Sequence, residues 1–97
     1  MSHTFAFHYR CGPEWVRGKT VFEQPLQDHL AYMHQLVEAG ILKMGGPFLD
    51  DTGGLIVVIA ETEQEAGELA AVDPAVRNGV MTAQTHPWKL IAGKELV

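Results

Sequence analysis

The sequence predicts an α+β fold in which four strands and two helices follow one another in the order β-α-β-β-α-β. Three observations support this order. Aromatic residues alternate with small or polar ones over residues 3–9, as in a strand. Apolar residues recur at helical spacing over residues 25–39. Residues 55–60 are apolar without alternation, which is typical of a strand buried on both faces. This order is the ferredoxin-like arrangement, with an antiparallel sheet.

The first predicted strand has two faces of different character. One face is aromatic and consists of Phe5, Phe7 and Tyr9. The other face carries His8 between small residues, so His8 is a candidate for contacting a substrate. The loop that follows, residues 10–24, is long for a connection in so small a domain. We therefore expect this loop to cover a site.

The first predicted helix, residues 25–39, has one apolar stripe that we expect to face the core. The stripe consists of Leu26, Leu30, Met33 and Val37. Pro25 suits a first helical position, and Gly40 suits a left-handed C-terminal cap. His29 lies at the rim of the stripe, where packing holds the base of the side chain and the ring can face a pocket. His29 is therefore the best catalytic candidate in the chain.

A short apolar strand, residues 41–44, follows the helix directly. The next three residues, Gly45-Gly46-Pro47, are expected to end strand pairing. Glycine there also allows a ligand to approach the backbone closely, so Gly46 and Pro47 are candidates for binding a substrate. The buried strand at residues 55–60 comes next, after an Asp- and Gly-rich turn.

The second predicted helix begins with a capping box, in which Thr62 is the N-cap and Glu65 lies three residues later. Asp73-Pro74 ends this helix and starts a short turn. The last predicted strand covers residues 80–85, and residues 86–91 continue it as an extended edge segment.

One face of the predicted sheet lacks a cover. Right-handed crossovers place both helices on the same face. The strand at residues 55–60 is apolar on its other face too, and the aromatic residues of the first strand also lie on a single face. A second copy of the chain would cover this surface, so we expect a homodimer whose sheets pack face to face.

Composition restricts the possible functions. The 97 residues are enough for one domain, residues 1–97, and the net charge of -5 argues against a nucleic-acid partner. No apolar run approaches the ~20 residues of a membrane span. A single cysteine and the lack of a secretion signal predict a cytoplasmic protein. No spacing of His, Cys, Asp and Glu suggests a metal site, and no cofactor motif is present, so we expect neither.

Five short motifs lie in order along the chain. They are Asp28-His29-Leu30, Gly40-Ile41-Leu42, Gly45-Gly46-Pro47, Asp73-Pro74 and Pro87-Trp88. Together they resemble the YciI-like (YCII-related domain) proteins of the dimeric α+β barrel superfamily. The resemblance covers nearly the whole chain and implies a ferredoxin-like fold, a dimer and an active site built on a histidine–aspartate pair. By position, that pair is His29 and Asp73. One group of the family is similar to dehydrochlorinases that act on chlorinated hydroquinones.

The pair has two interpretations. In the catalytic one, Asp73 holds one ring nitrogen of His29, and the other nitrogen acts as a general base or acid. In the structural one, His29 is a partly buried helix residue, and Asp73 only caps the turn that begins at Pro74. The two are compatible, because a carboxylate has two oxygens.

Three functions therefore remain open. The first is a small cofactor-independent enzyme, a lyase, isomerase or dehydrochlorinase, that uses the His29–Asp73 pair for acid–base chemistry on a small cyclic or aromatic compound. The second is a non-catalytic protein of the same fold that binds a small molecule or assists another enzyme. The third is a cofactor-free oxygenase, a reaction that leaves no sequence motif.

Overall fold

The computed structural model describes residues 3–93 and confirms the predicted order, with a short additional helix before the last strand. The elements are β1 (His3–Cys11), a 3-10 helix (Val21–Glu23), α1 (Gln27–Glu38), β2 (Leu42–Pro47), β3 (Gly53–Ala60), α2 (Glu63–Ala71), α3 (Pro74–Arg77) and β4 (Met81–Pro87). The strands form one antiparallel sheet in the order β2-β3-β1-β4. Among the described residues, no helix is long and apolar enough to span a membrane.

The core lies between the helices and one face of the sheet. The register pairs Phe5 with Val58 and Phe7 with Ile56, and all four side chains are buried on this face. Residues of all three helices belong to the same apolar cluster, including Met33, Ala66 and Ala75. We expected the aromatic face of β1 to add to a partner-facing surface. That expectation is wrong, because these aromatic side chains pack under the helices.

The opposite face of the sheet carries apolar side chains that water reaches. Register places Met44 and Val57 opposite each other there, with Ala6 beside Val57 on β1. Leu55 and Met44 are 41% and 39% exposed. Since α1, α2 and α3 all contribute to the cluster on the other side, we call this surface the open face.

Only part of the apolar stripe of α1 packs against the core, where all of it was expected to do so: Leu26 and Met33 pack against the apolar cluster. Leu30 and Val37 are 55% and 52% exposed, whereas Leu36, outside the stripe, is the buried residue of this helix. The helix begins at Gln27, two residues later than predicted. Gly40 does take the left-handed conformation, with φ of 75°.

Strand β2 extends further than predicted. Gly46 and Pro47 pair with Leu55 and Gly54 instead of ending the strand. Proline is tolerated there because β2 is an edge strand, whose outward N–H groups need no partner. On β3, Gly53 has φ of 139°, and a Cβ atom built on it would lie 1.9 Å from the carbonyl oxygen of Tyr9. Only glycine permits this close approach of β3 to β1.

A fully buried carboxylate joins α3 to the sheet. Asp73 has 0% exposure, and its Oδ1 accepts a hydrogen bond of 2.9 Å from the backbone N–H of Ala75, which caps α3. The hydroxyl of Tyr9 donates to Oδ2 at 2.8 Å. Burial, reinforced by the charge of Asp73, raises the pKa of Tyr9 well above its ordinary value.

We predict that the contribution of Tyr9 to stability depends on pH. Tyr9→Phe removes a donor from a buried carboxylate and should lower the free energy of unfolding by about 1–3 kcal/mol near neutral pH. The unfolded wild-type chain ionises this tyrosine near pH ~10, but the folded chain does not. The contribution of Tyr9 to the free energy of unfolding of the wild type is therefore fully present below that pH. Above that pH it decreases by up to ~1.4 kcal/mol per pH unit.

Urea unfolding of both proteins at about pH 8 and about pH 11 checks this prediction. The difference between the two proteins should shrink at the higher pH. A difference that stays constant would contradict the assignment of a protonated, buried Tyr9.

Candidate functional site

A cavity of about 500 Å³ lies between α1 and the ends of β2 and β3. We call it the α1 cavity. Its helical wall is the apolar stripe of α1, which consists of Leu26, Leu30, Met33 and Val37. Its sheet wall includes Ile56 and four glycines of β2 and β3. The helix is therefore amphipathic in the predicted way, but its apolar stripe borders an open apolar space, and only Leu26 and Met33 also pack against the core.

His29 lies in the first turn of α1, at the border of this cavity. Its Nδ1 atom is 2.9 Å from Oδ1 and 2.8 Å from Oδ2 of Asp73. The side chain of His29 is 12% exposed. The structure thus brings together the two residues that the resemblance paired. Asp73 caps α3 and holds His29 at the same time, as the two compatible interpretations allowed.

The contacts of Asp73 fix which ring nitrogen of His29 carries the proton. Both carboxylate oxygens already accept hydrogen bonds, from Ala75 N–H and from the Tyr9 hydroxyl. A carboxylate can only accept, so Nδ1 of His29 must donate. In the neutral ring, Nε2 then carries a lone pair, and none of residues 3–93 forms a hydrogen bond with it. This arrangement can accept a proton at Nε2 while Asp73 stabilises the resulting imidazolium.

The rings of His29 and Tyr9 also touch. Their centroids are 5.5 Å apart, with an interplanar angle of 73°, an edge-to-face contact that fixes the plane of the imidazole. Sequence reasoning did not identify Tyr9 as part of the site. A signal for Tyr9 was nevertheless present in the sequence. Tyr9 shares a strand face with Phe5 and Phe7, and a tyrosine buried there needs a hydrogen-bond partner for its hydroxyl.

The long loop after β1 is held by one buried amide. The side chain of Gln24 accepts a hydrogen bond from Val16 N–H at 2.8 Å and donates to the Val16 carbonyl at 2.9 Å. Asp51 accepts from the N–H of Val21 at 2.8 Å. These bonds fix the end of the loop, and Val21 and Phe22 line the α1 cavity.

The structure brings only some of the remaining candidates to the α1 cavity. Gly46 and Pro47 line the α1 cavity. His8 lies on the open face, where its ring contacts that of Phe48 at 5.8 Å, and the structure does not bring it to the cavity. Cys11 is exposed. Among residues 3–93, no group of three or more His, Cys, Asp or Glu side chains is arranged to hold a metal ion.

A second tyrosine lies near the pair on the helical side. The hydroxyl of Tyr32, on α1, donates to the carbonyl oxygen of Leu69 on α2 at 2.6 Å. Burial, with a smaller contribution from the charge of Asp73, raises the pKa of Tyr32. This bond links α1 to α2 close to the site.

Known proteins with similar sequence and structure fit this architecture. The solved structure of 5-chloro-2-hydroxyhydroquinone dehydrochlorinase (TftG) from Burkholderia phenoliruptrix AC1100, in complex with 2,5-dihydroxybenzoquinone, is similar with a TM-score of 0.69 and 23% identity. The similarity covers 89% of this chain and 93% of that chain and supports the fold. The uncharacterized protein YjpA of Bacillus subtilis (strain 168) is 35% identical over 75 residues, which are 77% of this chain and 88% of the relative. The sequence model of the YCII-related domain matches residues 13–89, and the chain therefore belongs to the YCII-related domain family.

Proposed function

We propose that this chain is a small acid–base enzyme, a lyase or isomerase, that acts on a small cyclic or aromatic compound. One observation carries the proposal. An imidazole borders an apolar cavity while a fully buried carboxylate holds its Nδ1 at 2.8 Å. Asp73 would orient His29 and stabilise the imidazolium, and Nε2 would be the atom that moves the proton.

The proposed reaction begins when Nε2 takes a proton from an O–H or C–H group of the bound compound. In an elimination, the electron pair left behind forms a new π bond and expels a leaving group such as chloride. The proton and the chloride together account for the HCl that is lost. In an isomerisation, the protonated ring returns the proton to a different carbon of the same compound. Both reactions need one neutral base close to the bound compound, and neither needs an electron acceptor.

The shape and lining of the α1 cavity support a small apolar substrate. A volume of about 500 Å³ is within the range of cavities that hold small molecules. The fold-level neighbour named above is a dehydrochlorinase that binds a dihydroxybenzoquinone. Its substrate, 5-chloro-2-hydroxyhydroquinone, is therefore the first compound to test here.

We predict that His29→Asn strongly reduces turnover without unfolding the protein. Loss of the base should reduce the rate of chloride release from 5-chloro-2-hydroxyhydroquinone by about 10²–10⁴-fold. Chloride release and circular dichroism would be measured on the same samples. His3→Asn is the matched control, because His3 is exposed at the start of β1 and lies outside the α1 cavity. If His29→Asn retains the wild-type rate, the proposal fails.

The same experiment separates catalysis from binding alone. If the compound raises the melting temperature and is recovered unchanged, the chain is a binding or accessory protein instead. Turnover that requires dissolved oxygen would favour an oxygenase.

We further predict that Asp73→Asn retains the cap of α3 but loses activity. Asparagine is a good N-cap, so its side-chain oxygen can still accept from Ala75 N–H. It no longer supplies the charge that stabilises the imidazolium, and the rate should fall by about 10²-fold or more. A variant that is less stable but equally active would show that Asp73 is only a cap.

The open face supports a homodimer in which two sheets pack face to face. Leu55 and Met44 lie on this face and remain substantially exposed in one chain. A chain of this size buries a modest fraction of its surface, so a partner would add useful apolar burial. The proposed partners of the protein are therefore a second copy of the chain and a small molecule in each α1 cavity.

We predict that light scattering gives about twice the 10.7 kDa mass of the chain. Met44→Glu places a charge on the open face and should yield a monomer, because an unpaired charge in an apolar interface is costly. Val72→Glu is the matched control, since Val72 is also an exposed apolar residue but follows α2 on the helical side. If both variants remain dimeric, another surface forms the interface.

A further inference from the structure

We propose that Tyr9 is a positioning residue that weakens the hold of Asp73 on the protonated ring of His29, and so keeps the neutral ring available as a base. Its importance for turnover rests on the proposed function, but the electrostatic effect itself does not. The effect is a property of the free protein and can be measured without a substrate.

The geometry joins three side chains through one carboxylate oxygen. Oδ2 of Asp73 lies 2.8 Å from the Tyr9 hydroxyl and 2.8 Å from Nδ1 of His29. Tyr9 and Asp73 are both buried, so water does not compete for these contacts. The hydroxyl and the ring nitrogen therefore share one acceptor, and a change in either donor must affect the other.

The direction of the effect follows from charge. A buried carboxylate stabilises an adjacent imidazolium, and more strongly when fewer other donors share its negative charge. Tyr9 is a neutral donor to that carboxylate, as is the backbone N–H of Ala75. The raised pKa of Tyr9 keeps this hydroxyl protonated through the neutral range. Each donor thus makes Asp73 a weaker partner for the imidazolium, and Tyr9 is the one that a side-chain substitution can remove.

Few other titratable groups face His29. Asp73 contacts it from the start of α3, and Tyr9 contacts it from β1. On α1 itself, Tyr32 donates to the Leu69 carbonyl of α2 and not to Asp73, and His34 is exposed at the cavity. Within the described residues, the lining of the α1 cavity contains no Asp, Glu, Lys or Arg. Among these groups, Asp73 is the charged one that contacts the His29 ring directly, and Tyr32 is a matched control.

Tyr9→Phe tests the proposal, because it removes the hydroxyl and keeps the ring that packs against His29. The protonation midpoint of His29 would be followed by NMR titration of its carbon-bound ring protons in the wild type, Tyr9→Phe and Tyr32→Phe. We expect Tyr9→Phe to raise the midpoint and Tyr32→Phe to leave it nearly unchanged. A merely structural Tyr9 would lower the melting temperature without moving the midpoint. An unchanged or lowered midpoint in Tyr9→Phe, or an equal rise in both variants, overturns the proposal.

A measurement on the wild-type protein decides the matter if Tyr9→Phe does not fold. The ring carbon that bears the Tyr9 hydroxyl should change its chemical shift with the same midpoint as His29, because both donors share Oδ2. The corresponding carbon of Tyr32 should not follow that midpoint. If the Tyr9 carbon is constant while His29 titrates, the two are not coupled and the proposal is wrong. Neither result depends on whether His29→Asn removes activity. Failure of this proposal can therefore be distinguished from failure of the proposed enzyme function.

Discussion

The buried carboxylate of Asp73 is the constraint to which three distant segments of the chain are tied. Tyr9 reaches it from β1, His29 reaches it from α1, and Ala75 N–H reaches it from α3. A buried charge is costly unless hydrogen bonds compensate it, so these bonds stabilise the fold. The same bonds orient the imidazole. Fold and candidate site therefore share a single network of hydrogen bonds.

This network also explains why a cavity exists beneath α1. The helix is held by the His29–Asp73 contact in its first turn, by the Tyr32 hydroxyl on Leu69, and by burial of Leu36 near its end. These contacts position the helix without collapsing its apolar stripe onto the sheet. The sheet opposite lines this space with four glycines, which have no side chains to occupy it. Much of the apolar surface of α1 therefore forms one wall of the cavity.

Local chemistry made several features predictable. The Thr62 cap is present, with Glu65 N–H donating to its hydroxyl at 3.0 Å, and Gly40 ends α1 in the left-handed conformation. Such features depend on residues close together in sequence. The order of strands and helices follows in the same way from periodicity. The His29–Asp73 contact was expected only through the family resemblance, because 44 positions separate the two residues.

Other features depend on tertiary packing, and periodicity cannot resolve them. A stripe of apolar residues looks identical whether it faces a packed core or an open cavity, so the exposure of Leu30 and Val37 was unforeseen. The aromatic face of β1 likewise gave no sign of which side the helices would occupy. Once Phe5 and Phe7 face the helices, strand alternation places His8 on the opposite face. The position of Tyr9 beside Asp73 follows from the same choice of face.

Two glycines that line the α1 cavity differ sharply in the substitutions they permit. At Gly53 any side chain would collide with the backbone of Tyr9, and the displacement would travel to the acid that Tyr9 supports. At Gly46 an added Cβ would meet no atom within 4 Å. A side chain is therefore excluded at Gly53 and sterically free at Gly46, although both residues lie close to the turn of the same hairpin. Because register places Gly46 opposite Leu55, a larger side chain at Gly46 would project onto the open face and would leave the proton-handling residues unchanged.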